Sequence, residues 1–476
     1  ADEDFGDDGD LPSEEHIQEL MAKEQKSRRD DPGRNRRPPD PSDQEAVMKW
    51  MNDRHAKIAY GRKVLVWVRE TGEAGRSEFA PYPTSEFDKL YSAYNVPVED
   101  KTIPLGRWWR NDQRALWADG FDLLPDQKPG PTGPWKPFNL WNGWGIKPRL
   151  GDWDCYRRLI VEGLCAGDRV HAEYVFDWIA FLLQRPKQLH KVALVFRGAK
   201  GTGKSTLGLA LKMALGSHAA KADSADAVTG QFNWHLKDKV FLLAEEVKWM
   251  KGKGGEGVLK ALITDPERSY EAKGVDARQG FNYVSMMITS NEDWVVPASL
   301  GDERRFAVFT VSRKLIAEDS IWEQIYRGNT GIPKRAPIAA MVHDLLKRDI
   351  SAFDPIRHVP KTEALALQAL ETMKGIERWW YRCLADGVPP GLMGDSDEWE
   401  GNRVEVPVQE AYRSYADGEK YPKTDKTVGK RLADFGVRKV RQTKVVEGKR
   451  PYVWVLPPLE EAREFFAKKV GMDMEW

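Results

Sequence analysis

Cysteine is nearly absent from this chain of 476 residues: Cys155, Cys165 and Cys383 are few, odd in number and far apart. That argues against a disulfide framework and a zinc ribbon, and it fits a reducing compartment such as the bacterial cytoplasm. No apolar run approaches the ~20 residues that a membrane-spanning helix needs. No signal-peptide pattern is present, and the chain begins at Ala1 without Met, as a carboxy-terminal part of a longer protein or a processed chain would. Net charge is missing too: 73 Lys and Arg balance 73 Asp and Glu, so the sum names no partner. The distribution says more. Residues 1–15 carry acids and no Lys or Arg, whereas residues 420–450 carry eleven Lys or Arg against Asp425, Asp434 and Glu447. A locally basic carboxy-terminal stretch suits a polyanion, although a solvated charged face is the commoner meaning of such a run.

Residues 1–41 are acidic, then rich in Pro and Arg, with few large apolar side chains. They read as a disordered tail or linker. Ser42 and Glu45 form a capping-box signature before a helix that runs to about residue 57. Residues 63–69 read as a strand, and 85–94 and 104–117 as helices. The stretch 120–150, rich in Pro, Gly and Trp, reads as irregular structure packed by aromatics, with the Trp cluster as core. The expected layout is an α+β region over 42–150, a helical collar over 151–190 and a nucleotide-binding core over 191–330. A helical connector over 331–400 and a basic module over 401–476 follow. In the core, strands and helices alternate, which predicts a parallel sheet with helices on both faces. Residues 318–350 and 360–386 read as helical. The last module reads as two helices, a basic strand at 437–445, a turn at Gly448, a strand at 451–456 and a terminal helix at 459–470. That pattern is winged-helix-like.

The most informative segment comprises Gly198, Ala199, Lys200, Gly201, Thr202, Gly203, Lys204, Ser205 and Thr206. It follows an apolar run at 192–196 and precedes a helical run at 207–215. A strand must deliver such a loop, glycines must let the backbone fold round an anion, and a helix N-terminus must offer its free N–H groups to phosphate. Lys204 is expected to reach the β- and γ-phosphates of ATP, and Ser205 to ligate Mg²⁺. A second apolar run, 239–244, ends in Glu245 and Glu246. An ATPase needs one carboxylate for the metal and one to orient and polarise water; Glu245 is assigned to the metal and Glu246 to the water. A third run, 284–290, ends in Asn291, whose amide both donates and accepts, as a sensor of γ-phosphate and water must. Arg304 and Arg305 precede the next strand. Either suits an arginine finger acting across a subunit boundary, and the sequence does not separate them. Between these elements, residues 268–283 read as a hairpin that would set Lys273, Gly274 and Arg278 against a nucleic-acid backbone. Taken alone, a lysine at a hairpin tip is a solubilising residue. Asp152 and Asp154 form an Asp-x-Asp pair that carries no catalytic weight, because the pattern is common by chance.

In this order and spacing the elements resemble the superfamily 3 helicases of viruses, phages and plasmids, most of all the helicase part of phage and poxvirus-type primase-helicases. Supporting stretches are residues 177–186, 230–233, 259–264 and 271–274. The resemblance is good over 138–312 and thin after 330. It implies an α/β fold with an AAA+ P-loop ATPase core, ATP and Mg²⁺ as cofactors, and a homo-oligomeric ring, usually a hexamer. It further implies movement 3′ to 5′ on single-stranded DNA at replication forks, in a phage- or prophage-encoded protein. An upstream primase or polymerase domain is expected before Ala1. Glu245 stands where many relatives have Asp, which changes the reach of the metal carboxylate and not its charge. Two other readings remain: an ATP-switched DNA-binding initiator or scaffold that does not unwind, and a protein remodeller.

Overall fold

The computed structural model describes residues 37–60, 63–71, 77–125, 127–247, 253–272, 275–299, 303–373, 375–391, 399, 401–419, 421–441, 451–470 and 476. Most of the expected acidic tail lies outside the described residues. The chain forms two compact units, Ala1–Trp144 and Gly145–Trp476.

The first unit contains α1 (Gln44–Asn52), β1 (His55–Tyr60), β2 (Lys63–Thr71), β3 (Ser77–Pro83), α2 (Thr84–Leu90), β4 (Asn95–Val98) and β5 (Lys101–Pro104). α3 (Leu105–Asn111), β6 (Trp117–Asp122), β7 (Gly130–Pro131) and β8 (Lys136–Asn139) complete it. Its main sheet runs β3-β2-β1-β6-β8-β7, and β4 pairs with β5. Several expectations need correction here. The helix is capped by Asp43, whose carboxylate accepts from the Ala46 N–H at 3.0 Å, while the Ser42 hydroxyl turns back to Asp40 at 2.8 Å. It ends at Asn52, before residue 57, because the next residues pair with β2 from His55↔Val68 to Tyr60↔Lys63. Long-range pairing overrides local helix preference there. The helices expected at 85–94 and 104–117 each have seven residues: the first stops short of the β4–β5 hairpin, and the second ends where Asp112 turns extended before β6 begins at Trp117. The stretch 120–150 is less irregular than expected, since β6, β7 and β8 join the main sheet. Its aromatics pack as core in part: Phe138 and Trp141 are buried and Trp67 stacks on Phe138, whereas Trp144 is half-buried and Trp135 is 68% exposed.

In the second unit, α4 (Asp154–Arg158) runs into a π-helical turn at Leu159–Leu164, followed by α5 (Arg169–Gln184). α5 is capped by Asp168, which accepts from the His171 N–H at 3.0 Å. It is apolar nearly all round and buries Tyr174, Trp178, Ile179 and Leu182. The central sheet is built from β9 (Ala193–Arg197), β10 (Ala219–Ala222), β11 (Phe241–Glu245), β14 (Ser285–Ser290) and β15 (Phe306–Thr310). Its order is β10-β11-β14-β9-β15, and every pairing is parallel. These strands are almost wholly buried on both faces, which is why their residues are continuously apolar and do not alternate. β10 was not legible as a strand: residues 219–222 are Ala-Ala-Lys-Ala, a poor strand former recruited by β11. The helices α6 (Lys204–Leu215), α7 (Ala225–Thr229) and α8 (Lys253–Thr264) belong to the crossovers. α6 lies close on the sheet because Gly208 has no side chain; a Cβ there would meet Leu243 Cδ1 at 2.5 Å.

A hairpin, β12 (Glu267–Ala272) and β13 (Val275–Phe281), forms its own two-stranded sheet. After β15 the expected long helices are broken into α9 (Asp319–Ile325), α10 (Arg335–Leu345), α11 (Glu363–Thr372) and α12 (Ile376–Asp386). Gly331 and Gly375, at φ +67° and +62°, occupy the breaks. Last come β16 (Val404–Pro407), α13 (Val408–Ala416), α14 (Asp425–Ala433), β17 (Arg438–Arg441), β18 (Tyr452–Leu456) and α15 (Leu459–Val470). They form an antiparallel sheet, β16-β18-β17, with helices packed against it. Trp380, Trp399, Tyr415, Trp454 and Phe466 fill this core. The turn expected at Gly448 lies outside the described residues.

His190 ties α5 to the sheet. Its Nε2 donates to the Trp178 carbonyl (2.9 Å), so its Nδ1 accepts from the Ser285 hydroxyl (2.6 Å). Only the neutral ring can do both. Burial lowers the pKa of His190 and of His55, each from 6.5 to about 3. Below pH 6.5 the unfolded chain takes up protons that the folded chain refuses, so stability falls as pH drops toward 3, by about 1.4 kcal/mol per pH unit for each such histidine. The expected observation is a thermal midpoint that declines steadily from pH 6.5 to pH 4.5. A flat profile over that range would contradict neutral, buried imidazoles.

Candidate functional site

The carboxyl ends of parallel strands are where open α/β sheets place their ligands. The ends of β9, β11 and β14 converge here on one cleft of about 460 Å³. The loop from Gly198 to Gly203 leaves β9 and delivers the chain into α6. Gly201 and Gly203 sit at φ +82° and +84°. A Cβ on Gly203 would also meet Trp322 Cη2 at 2.6 Å, so only glycine fits. Lys200 to Thr206 line the cleft, where the start of α6 offers N–H groups that no carbonyl four residues back accepts from.

Lys204 is buried, and its ammonium donates to the Gly198 carbonyl (2.7 Å), the Ala199 carbonyl (2.6 Å) and Asn291 Oδ1 (2.8 Å). Burial lowers its pKa, against the raising influence of Glu246 and Glu245. The Asn291 amide is used at both ends: its oxygen accepts from Lys204, and its nitrogen donates to Glu246 Oε1. A single neutral side chain therefore joins the cation to the carboxylate. Glu246 has φ +52°, a left-handed backbone that costs a non-glycine residue about 1–2 kcal/mol. Its N–H is held by the Thr289 carbonyl at 2.8 Å. Strain of this kind marks a position fixed by its surroundings.

Glu245 points to the other side. Burial raises its pKa, but hydrogen bonds from Lys221 and Ser205 and the nearby ammonium charges outweigh burial and hold it below the usual value. Lys221 of β10 forms an ion pair with it. Ser205 and Glu245, expected to share a metal, are thus joined directly. The Thr289 hydroxyl also lines the cleft, is buried, and finds no hydrogen-bond partner among the described residues. Hard oxygen donors with one carboxylate suit Mg²⁺, which takes its remaining ligands from phosphate and water. Among the described residues no group of three or more His, Cys, Asp and Glu could hold a metal unaided. Trp322 and Tyr326 of the α9 region complete the wall. Their rings stack at 6.3 Å, and the Tyr326 hydroxyl lies 2.7 Å from Thr206 Oγ1. Lys221, Thr289, Trp322 and Tyr326 carried no motif in the sequence. Their signal is spatial only.

Arg304 and Arg305 do not line this cleft. They precede β15, whose start aligns with that of β9 through the Ala193 N–H and the Arg305 carbonyl at 2.8 Å. They therefore lie at the amino edge of the sheet, about 17 Å from its carboxyl edge at ~3.3 Å per residue. The structure also separates them. Glu303, with its side chain only 3% exposed, accepts from Arg305 Nη1 at 3.2 Å. It also accepts from the backbone N–H groups of Ser299, Arg304 and Arg305. The Arg304 side chain is exposed and has no ion-pair partner among the described residues.

The hairpin is braced from below. The Asn233 amide donates to the Ser269 carbonyl and accepts from the Glu271 N–H, both at 3.0 Å, and Gln231 donates to the Glu271 carboxylate at 2.9 Å. Strand pairing extends to Ala272↔Val275, with Arg278 opposite Tyr270. Lys273 and Gly274 lie outside the described residues.

Residues 196–305 match a family described as of unknown function, DUF5906. The DNA primase-polymerase of Nitratiruptor phage NrS-1 is 30% identical over 150 residues, 31% of this chain, and the match spans only 20% of that relative's length. Two apo structures of the NrS-1 C-terminal region, one of them the A form, align with TM-scores of 0.59 at 17% and 18% identity. Each covers 88% of this chain and 100% of the other. This chain shares its mixed α/β fold with that region.

Proposed function

We propose that this chain is the motor region of an ATP-dependent, ring-forming DNA helicase of the AAA+ superfamily 3 type. It would serve replication of a phage or related element as the carboxy-terminal part of a primase-helicase or primase-polymerase. The observation that carries this reading is the chain Lys204, Asn291, Glu246 beside the Ser205 and Glu245 pair, all at the carboxyl ends of adjacent parallel strands. The sequence similarity to the phage primase-polymerase supports the replication setting.

In this reading the loop N–H groups and Lys204 hold the phosphates of ATP and neutralise charge that develops on the γ-phosphoryl group. Ser205 and Glu245 would hold Mg²⁺, which would supply charge neutralisation for phosphoryl transfer. Glu246 orients the attacking water and accepts its hydrogen bond, with Asn291 fixing the carboxylate. Trp322 and Tyr326 bound the cleft beyond Thr206. Arg304 is the finger, acting in a neighbouring subunit's cleft, because its own lies across the sheet. The β12–β13 hairpin presents Lys273, Gly274 and Arg278 to single-stranded DNA, and a hexamer is the expected assembly.

The test is a forked duplex carrying either a 3′ or a 5′ tail, with ATP hydrolysis followed in parallel. The expected result is ATP-dependent unwinding from the 3′ tail and hydrolysis stimulated by single strands. Tight duplex binding without stimulated turnover would identify an initiator instead. Indifference to every nucleic acid would identify a protein remodeller.

A further inference from the structure

Helix α14 has two unlike faces. Val428 and Leu432 are buried against the core that holds Trp454. Lys426 and Lys430, one turn apart on the opposite side, are exposed, as is Lys423 just before the helix. The adjoining edge strand β17 exposes all four of its residues, Arg438, Lys439, Val440 and Arg441. Two cations of this region are already neutralised: Arg431 by Glu377 and Asp434, and Lys439 by Asp425 at 3.4 Å. Lys423, Lys426, Lys430, Arg438 and Arg441 have no ion-pair partner among the described residues. Arg441 shares the face of Lys439, which reaches Asp425 of α14, whereas Arg438 points to the opposite face of β17; four uncompensated cations thus gather beside α14 and repel each other unless an anion covers them.

From this face we infer a binding site for the phosphate backbone of duplex DNA that does not depend on base sequence. Three features select that occupant. The cations are distributed over a helix and a neighbouring strand, a surface wide enough to follow a polyanion. The exposed helix positions carry Lys, Thr, Asp and Ala and lack the Asn or Gln that pairs with adenine and the Arg fork that pairs with guanine, so the lysines act as point charges on phosphate, which position without specifying. Single strands are gripped by runs of exposed aromatics that stack on successive bases; two tyrosines are exposed here, Tyr421 and Tyr452, and the ring of Tyr452 is already engaged by Lys439, with 5.5 Å from ammonium to ring centroid. The site stands apart from the ATP cleft, and the inference does not rest on the ATPase reading. In the reading above, it would hold the unopened duplex while the motor works on the strand.

The experiment measures fluorescence anisotropy of labelled duplexes without nucleotide, over a range of salt concentrations, for the whole chain and for the double variant Lys426→Glu, Lys430→Glu. Two duplexes of unrelated sequence should bind within about threefold of each other, and the variant should bind both at least about tenfold more weakly. Its salt slope should be shallower by about 2. Lys426→Gln with Lys430→Gln should lose less; in both variants basal ATP hydrolysis should stay unchanged and the thermal midpoint should not fall, since like-charge repulsion is relieved. Unchanged duplex affinity would overturn the inference, as would strong preference for one sequence. An equal loss of binding to unstructured single strands, or equally tight binding of duplex RNA, would overturn duplex DNA as the occupant.

Discussion

Replacing Lys204 with alanine is expected to lower ATP hydrolysis by at least about 10²-fold, the loss typical of removing a donor aimed at developing charge. The side chain is a good case because its ammonium is fully committed: two loop carbonyls and Asn291 accept from it within 2.8 Å. Alanine removes the charge and leaves Asn291 Oδ1 without its donor, so the orientation of Glu246 loosens as well. Lys204→Arg should not rescue, since a planar guanidinium does not fit a pocket shaped for a compact ammonium. Nucleotide binding, read by quenching of tryptophan emission with Trp322 in the cleft wall, separates loss of binding from loss of chemistry. Hydrolysis within a few-fold of the unmodified chain would remove the basis for placing ATP here.

Arg304→Ala is expected to reduce hydrolysis by about 10³- to 10⁵-fold in the assembled protein while leaving nucleotide binding intact, as for fingers in other NTPases. Arg305→Ala should act differently. It strips the buried Glu303 carboxylate of its cation, so its main effect should be a lower thermal midpoint. A mixing experiment isolates the trans role. Arg304→Ala and Lys204→Ala subunits are each inactive alone. Mixed in equal amounts they create interfaces in which an intact cleft faces an intact finger, about a quarter of all interfaces in a random ring. Recovered hydrolysis is the expected result; none would place the arginine's role within its own subunit.

Much of the parallel-sheet core was legible because its residues obey local rules. Buried parallel strands are runs of apolar residues, and the loop after β9 has glycine where φ is positive, at Gly201 and Gly203. The polar side chains at the strand ends followed from that frame. What was illegible depends on contacts distant in sequence. β10 is a strand only because β11 lies beside it. The first helix was read too long because nothing in residues 53–57 announces pairing with β2. Trp322 and Tyr326 reach the cleft from a helix far along the chain. The ambiguity between Arg304 and Arg305 is a matter of one buried acid, Glu303, whose burial the sequence does not display.

The amide of Asn291 has a consequence for timing. It has one oxygen for Lys204 and one nitrogen for Glu246, so any pull on the ammonium is transmitted to the carboxylate two bonds of hydrogen away. In the proposed reading, a γ-phosphate that draws on the lysine loosens its bond to Asn291 Oδ1, while the amide nitrogen keeps its hold on Glu246. Asn291→Asp, nearly the same shape, would set two like charges face to face and break that interlock.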